Sequence, residues 1–309
     1  MTRLQNLFKT FLVVALGGVL LTTTSCKKDD PAPAPQTITD IVVNDPNFSL
    51  LKQAVTKAGL AQALSTGSLT VFAPDNAAFA ASGITSATID ALPAADVANL
   101  LKYHVVNAKV LSTGVPASDT VKTLLGTNLY ASKNANGVFV NGIKVKTADV
   151  NAANGVIHVI SSVMTPPTQT IAQLASGSPD LSLLLAAVVR AGLAGAVSAP
   201  GKYTVFAPTN AAFIAAGFPD AATINAAPAN VVASIVKAHV LSTNVFASDL
   251  INGSTATTLE SGVTLTIGTT PPSVKKTGSV NPVSNIIAPS GVNITATNGV
   301  VHLIDRVIL

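Results

Sequence analysis

"TVFAPDNAAFA" occupies residues 70–80, and "TVFAPTNAAFI" occupies residues 204–214, 134 positions further on. In each string Val and Phe (Val71 and Phe72; Val205 and Phe206) read as strand residues. Pro74 and Pro208 then stop the strand, because proline has no N–H to give to a ladder. Asp75 and Thr209 stand where a helix N-cap is expected, their side-chain oxygens able to accept from the first free backbone N–H groups. Phe79 and Phe213 follow at a spacing that turns each ring inward. Only the hydroxyls of Thr70, Thr204 and Thr209 have nucleophile chemistry, and the string supplies no base beside them. The motif reads as a strand–stop–helix corner.

The string is one of four blocks that recur in the same order. "FSLLKQAVTKAGL" (48–60) matches "LSLLLAAVVRAGL" (181–193) at an offset of 133. "LPAADVANLLKYHVV" (92–106) matches "APANVVASIVKAHVL" (227–241) at 135, and "NGVIHVI" (154–160) matches "NGVVHLI" (298–304) at 144. Ordered recurrence over this length indicates a duplicated domain. The growth of the offset places extra residues in the second copy at about 268–290, as a longer loop or an extended hairpin.

Local signals give the elements. Asp45-Pro46 and Ser178-Pro179 predict capped helix starts. Leu51, Ala54, Val55 and Ala58 fall at helical spacing and Gly59 ends the run, with Leu184, Ala187, Val188, Ala191 and Gly192 as equivalents. Pro93 and Pro228 open further helices. The period then changes to two, with strands after Asn136-Gly137, Asn141-Gly142 and Asn154-Gly155. Helices early and strands late predict an α+β domain, helices packed on one side of a largely antiparallel sheet system.

These blocks resemble the fasciclin-type (FAS1) adhesion domain. "TVFAPDNAAFA" and "TVFAPTNAAFI" match its first signature, "KYHVV" its central Tyr-His element, and "NGVIHVI" and "NGVVHLIDRVIL" its closing signature. The resemblance covers about 37–165 and 168–309. It implies two wedges, each a twisted β-sandwich with a helical layer, working as tandem modules in adhesion and matrix contact; the missing catalytic set adds the expectation of no catalytic chemistry, with an enzyme built on backbone groups as a third reading. It also implies a weak partner-contact role for Tyr103 and His104. The second copy departs from the pattern with Ala238 in place of Tyr103. The first has Ser161 where the second keeps the expected Asp305.

Four histidines, His104, His158, His239 and His302, fall two per copy in equivalent places. A histidine pair can bind metal or move protons. A transition-metal site needs three or four ligands, however. Glu260 is the only glutamate, and no Asp repeats at a ligand-like spacing. His158 and His302 share strand parity with apolar neighbours. The reading is therefore structural histidines, with peptide or glycan contact as the next alternative, and no metal, catalytic group or cofactor is expected. Charged residues are only 10% of the chain and the lysines are scattered, which excludes a phosphate-tracking nucleic-acid surface.

The first residues carry an address. "MTRLQNLFKT" is basic, "FLVVALGGVLL" is apolar but too short to span a bilayer, and "TTTSC" ends in the only cysteine, Cys26. This resembles a bacterial lipoprotein signal over 1–25, with Cys26 lipidated; the alternative is an ordinary cleaved secretory peptide with an incidental cysteine. "KKDDPAPAPQT" then reads as an extended stalk, 26–36 including the cysteine. "CKKDD" resembles the export tags of surface lipoproteins in Bacteroidetes-type bacteria. The expectation is a lipid-anchored outer-membrane protein facing outward, or facing the periplasm as the alternative. Its partner would be a surface protein or glycan; an accessory lipoprotein binding a polysaccharide or small ligand for uptake is the second functional reading.

Overall fold

The structure is a computed structural model that describes residues 35–309. The signal segment, Cys26 and most of the stalk lie outside the described residues.

The first copy runs α1 (Ile38–Asn44), α2 (Ser49–Ala58), β1 (Leu69–Pro74), α3 (Asn76–Ala81), α4 (Ser86–Ala91), α5 (Ala94–Tyr103), β2 (Val105–Val106), β3 (Ser118–Lys122), β4 (Asn128–Asn134), β5 (Gly137–Val140), β6 (Ile143–Ala152) and β7 (Gly155–Ile160). The second runs α6 (Ile171–Gly177), α7 (Ser182–Arg190), α8 (Ala194–Ser198), β8 (Tyr203–Pro208), α9 (Asn210–Ala215), α10 (Ala221–Ala226), α11 (Ala229–Ala238), β9 (Val240–Leu241), β10 (Thr255–Thr257), β11 (Thr264–Thr269), β12 (Pro272–Lys276), β13 (Ser284–Asn285), β14 (Ile294–Ala296) and β15 (Gly299–Ile304). This is the α+β architecture that the order of sequence patterns predicts.

One pairing departs from a purely antiparallel reading. The first-signature strand lies parallel to the closing strand in both copies: Phe72 faces His158 across β1–β7, and Phe206 faces His302 across β8–β15. The remaining pairs are antiparallel, giving a sheet ordered β2-β1-β7-β6-β5-β4-β3 in the first copy. Gly155 and Gly299 open the closing strands because a side chain there has no room. A Cβ on Gly155 would lie 2.0 Å from the Leu69 carbonyl oxygen, and one on Gly299 would lie 2.1 Å from that of Tyr203.

Each copy has two apolar cores. One lies between the helices and the parallel pair, with Leu51, Val55, Val71, Phe79 and Leu101 in the first copy. Its counterpart holds Leu184, Val188, Val205, Phe213 and Val236. The other lies between the two halves of the bent sheet in the first copy, where Phe72 and Ile160 meet Leu129 and Val140, and between two separate four-stranded sheets, β10-β11-β12-β13 and β14-β15-β8-β9, in the second, where Phe206 and Ile304 meet Leu265 and Val274. Register shifts in β6, at Val145/Thr147 and Thr147/Val150, give the sheet its bend. Burying one such ring or branched side chain contributes about 1.5–3 kcal/mol.

The expected caps form at the repeated corner. Asp75 Oδ1 accepts from Ala78 N at 2.8 Å, and Thr209 Oγ1 from Ala212 N at 3.4 Å. Asp45 caps a single 3-10 turn at Pro46–Phe48 through Asn47 N. Ser178 corrects the expectation, since it makes no side-chain cap. The nearby donors are taken up instead by the repeated corner: Asn76 Oδ1 accepts from Leu50 N at 3.1 Å, and Asn210 Oδ1 from Leu183 N at 3.0 Å. The extra length in the second copy falls largely within the expected stretch of about 268–290. Residues 268–276 belong to the β11–β12 hairpin, and the added chain falls in 277–283 and in the break between β13 and β14.

Candidate functional site

The histidines are the natural place to look for chemistry, and each uses both ring nitrogens on the backbone. His104 ends α5; its Nδ1–H donates to Leu100 O at 2.7 Å, and its Nε2 accepts from Met164 N at 3.0 Å. His239 ends α11 in the same way, with Ile235 O at 2.8 Å and Ile308 N at 2.9 Å. These partners fix the Nδ1–H tautomer in both rings. Each ring thus ties a helix C-terminus to the chain leaving the closing strand. Burial pushes both rings down to about 4, partly offset by the carbonyl each bonds.

The strand histidines form a second matched pair with the opposite tautomer. His158 Nε2–H donates to Val110 O at 2.9 Å while its Nδ1 accepts from Asp149 N at 3.2 Å. His302 does the same with Val245 O at 2.9 Å and Asn293 N at 3.3 Å. Asp149 and Asn293 are both left-handed, at φ 60° and 56°, which aims each N–H at the ring. Thr70 and Thr204 complete the arrangement. Thr70 Oγ1 donates to Ala108 O at 2.6 Å and accepts from Val110 N at 2.8 Å. Thr204 Oγ1 donates to Thr243 O at 2.6 Å and accepts from Val245 N at 2.8 Å. The rings of Phe72 and Phe206 stack on His158 and His302, with centroids 5.5 and 5.7 Å apart. Histidine and threonine therefore clamp one loop per copy, the connection after β2 or β9. Burial also lowers the pKa of His302.

Tyr103 and His104 do not present the partner surface that the resemblance implies. They are 1% and 2% exposed. Tyr103 Oη donates to Asn128 O at 3.2 Å and accepts from Asn141 Nδ2 at 2.8 Å, and burial pushes its hydroxyl up to about 12. The structure gives both side chains internal roles. Asp305 is half-buried, and its carboxylate accepts from Asn285 N and Nδ2 at 2.7 and 2.8 Å.

Sequence reasoning passed over two pairs of asparagines with matched functions. Asn76 and Asn210 bracket the first helical turn, as above, and each Nδ2 donates to a proline carbonyl, Pro46 or Pro179. Asn154 accepts from Ile38 N and donates to Leu64 O. Asn298 accepts from Ile171 N and donates to Val197 O and Ala199 O. Their signal was identity at equal register in both copies. Among the described residues, no three His, Cys, Asp or Glu side chains stand together as a metal-binding group.

The copies meet along a seam, where the first-copy sheet touches the clamped loop of the second. Tyr130 packs on Phe246 with ring centroids 5.1 Å apart, and Val300 joins them in a separate buried cluster. Ser132 Oγ donates to Asp249 Oδ1 at 2.6 Å, and Asn134 Nδ2 to Ser248 O at 2.7 Å. Two clefts flank this seam, of about 450 and 350 Å³.

A duplicated α+β unit, closed by a parallel pair and by matched histidine clamps, defines the class of protein. The Fasciclin domain matches residues 46–166 and 179–309, and the chain belongs to that family. It is 29% identical over 250 residues to transforming growth factor-beta-induced protein ig-h3 of Sus scrofa, covering 79% of this chain and 35% of that protein. Over 252 residues it is 29% identical to periostin of Homo sapiens, covering 79% and 28% respectively. The chain thus spans about a third of the length of these curated relatives. It is 40% identical over 136 residues to protein sll1483 of Synechocystis, covering 42% of this chain and 74% of that one. A solved FAS1 domain pair from the insect cell adhesion molecule Fasciclin I covers 85% of this chain and 97% of its own, at 18% identity and a TM-score of 0.42.

Proposed function

We propose that this chain is a surface-tethered adhesion lipoprotein, held in the outer membrane through Cys26 and binding a protein or glycan through its tandem fasciclin domains, without catalytic chemistry. Membership of the family supports the adhesive role. The observation that carries the non-catalytic reading is the use of all four histidines: every ring nitrogen bonds the backbone. A general acid or base needs a ring nitrogen that reaches substrate. The side chains repeated in both copies support the frame, which leaves binding to other surfaces of the chain.

The test compares bacteria expressing the intact chain with bacteria expressing Cys26→Ala. Adherence to surfaces coated with matrix proteins or glycans is measured beside incorporation of a labelled fatty acid. The expected result is lipid label and adherence with the intact chain, and loss of both with Cys26→Ala. Adherence that is absent in both strains, or equal in both, contradicts the proposal. The uptake reading draws its support from the two clefts beside the seam.

A further inference from the structure

The smaller cleft lies between the copies, with Thr120 and Tyr130 contributed by the first and Asn244 and Phe246 by the second. Two of its lining residues carry side-chain atoms that are buried without a hydrogen-bond partner, Thr120 Oγ1 and Asn244 Oδ1. Buried polar atoms are seldom left unpaired, because losing water without gaining a partner is unfavourable. Here the two orphans belong to opposite copies and border one concave space. The volume, about 350 Å³, falls in the range of small-ligand sites.

Asn244 is also held in place. The next residue, Val245, is pinned through its N–H by Thr204 and through its carbonyl by His302. The same clamp in the first copy pins Val110, but there the residue before it is Lys109, which is exposed. The shared clamp therefore places an asparagine beside a cleft in the second copy alone. That position owes its character to the seam.

The lining chemistry narrows the ligand. Asn244 Oδ1 is an acceptor and requires a donor, while Thr120 Oγ1 can donate and accept. Among the described residues, Lys202 is the only charged one that lines the cleft, and it is exposed. A cation would find no carboxylate there and an anion no buried cation. Hydroxyl groups, which donate and accept without charge, satisfy both orphans. Tyr130 and Phe246 also border the cleft, but they are 7% and 3% exposed and pack on each other beneath it. A peptide adding to the free edge of β3 would meet exposed Asp119 and Lys122, the kind of charges that blunt an edge.

We propose that this seam cleft binds a short, neutral oligosaccharide, with Asn244 and Thr120 as its polar contacts. The assignment goes beyond the adhesive reading and does not require it. A chain that binds sugar without holding cells to a surface would refute the first and leave the second standing.

The experiment is calorimetric titration of the purified chain with four uncharged trisaccharides: cellotriose, maltotriose, xylotriose and chitotriose. Saturable binding of at least one is expected, weakened about tenfold or more by Asn244→Leu and less by Thr120→Val. Asn252→Ala, in the larger cleft on the other flank, leaves the affinity unchanged. Asn244→Leu removes a buried orphan, so its melting temperature stays level or rises, which separates lost binding from lost folding. Three results overturn the proposal: no saturable heat from any probe up to about 10 mM, binding that survives Asn244→Leu, or Asn244-dependent heat from an uncharged Gly-Ser peptide but from no sugar.

Discussion

The two copies agree wherever the fold closes on itself and differ where they touch each other. His104 and His239, His158 and His302, Thr70 and Thr204, and Asn154 and Asn298 make the same bonds with equivalent partners. The loop clamped by each strand histidine has diverged. Leu111 follows Val110 in the first copy and is 40% exposed, whereas Phe246 follows Val245 in the second and is 3% exposed against Tyr130. Gly114 of that loop corresponds to Asp249, which accepts from Ser132 across the seam. The two copies thus share one frame, and at the contact one of each pair of matched residues differs. The seam is accordingly heterologous, with different surfaces meeting, and its pairing residues occur once each.

The sharpest way to break the claim of equal frames is to substitute the glycines that open the closing strands. Gly155→Ala and Gly299→Ala each drive a Cβ into a carbonyl oxygen on the parallel neighbour. Each is expected to cost about 4 kcal/mol or more in denaturant unfolding. Tolerance of either would show that the parallel pair is held differently in that copy.

A pH series tests the helix-end histidines next. Their rings stay neutral down to about 4 in the folded chain, against an ordinary value near 6.5 when unfolded. Between these values the unfolded chain binds protons that the folded chain does not. Stability is thus fully present above about pH 6.5, declines as pH falls toward 4, and loses nothing further from these rings below that. The loss approaches about 3 kcal/mol per ring. A flat profile across this window would contradict the burial of both.

Smaller effects probe the asymmetry. Tyr103→Phe removes the acceptor of Asn141 Nδ2 and the donor to Asn128 O, for an expected loss of about 1.5 kcal/mol. Ala238, buried at the equivalent position, has no hydroxyl and no such bond to lose. At the repeated corner Asp75→Ala should cost about 1 kcal/mol and Thr209→Ala less, since the second cap bond is the longer one. Equal losses would mean that cap length does not distinguish the two corners.

What could be read from the sequence was local or repeated. The strand, the proline stop and the Asp75 cap all lie within one short string, where propensity and capping chemistry act on neighbours. The duplication could be read because four blocks kept their order. Parallel pairing could not: β1 meets β7 across most of the domain, and no residue in either strand records its partner's direction. Ser178 misled because a capping residue type stood before a proline, while Asn210 reached the helix start from a distant turn. The histidines were legible as structural from parity and a missing ligand set, but their tautomers depend on Met164, Ile308, Asp149 and Asn293, contacts made only in the folded chain. The seam cleft was hidden for the same reason, since Thr120 and Asn244 converge only when both copies are in place.

The most direct test of the equal-frame account is nitrogen-15 NMR of the four imidazoles near pH 7. The account predicts two matched pairs, with His104 and His239 carrying the proton on Nδ1 and His158 and His302 carrying it on Nε2. Equivalent histidines with different tautomers, or a helix-end ring titrating near its ordinary value of about 6.5, would contradict it.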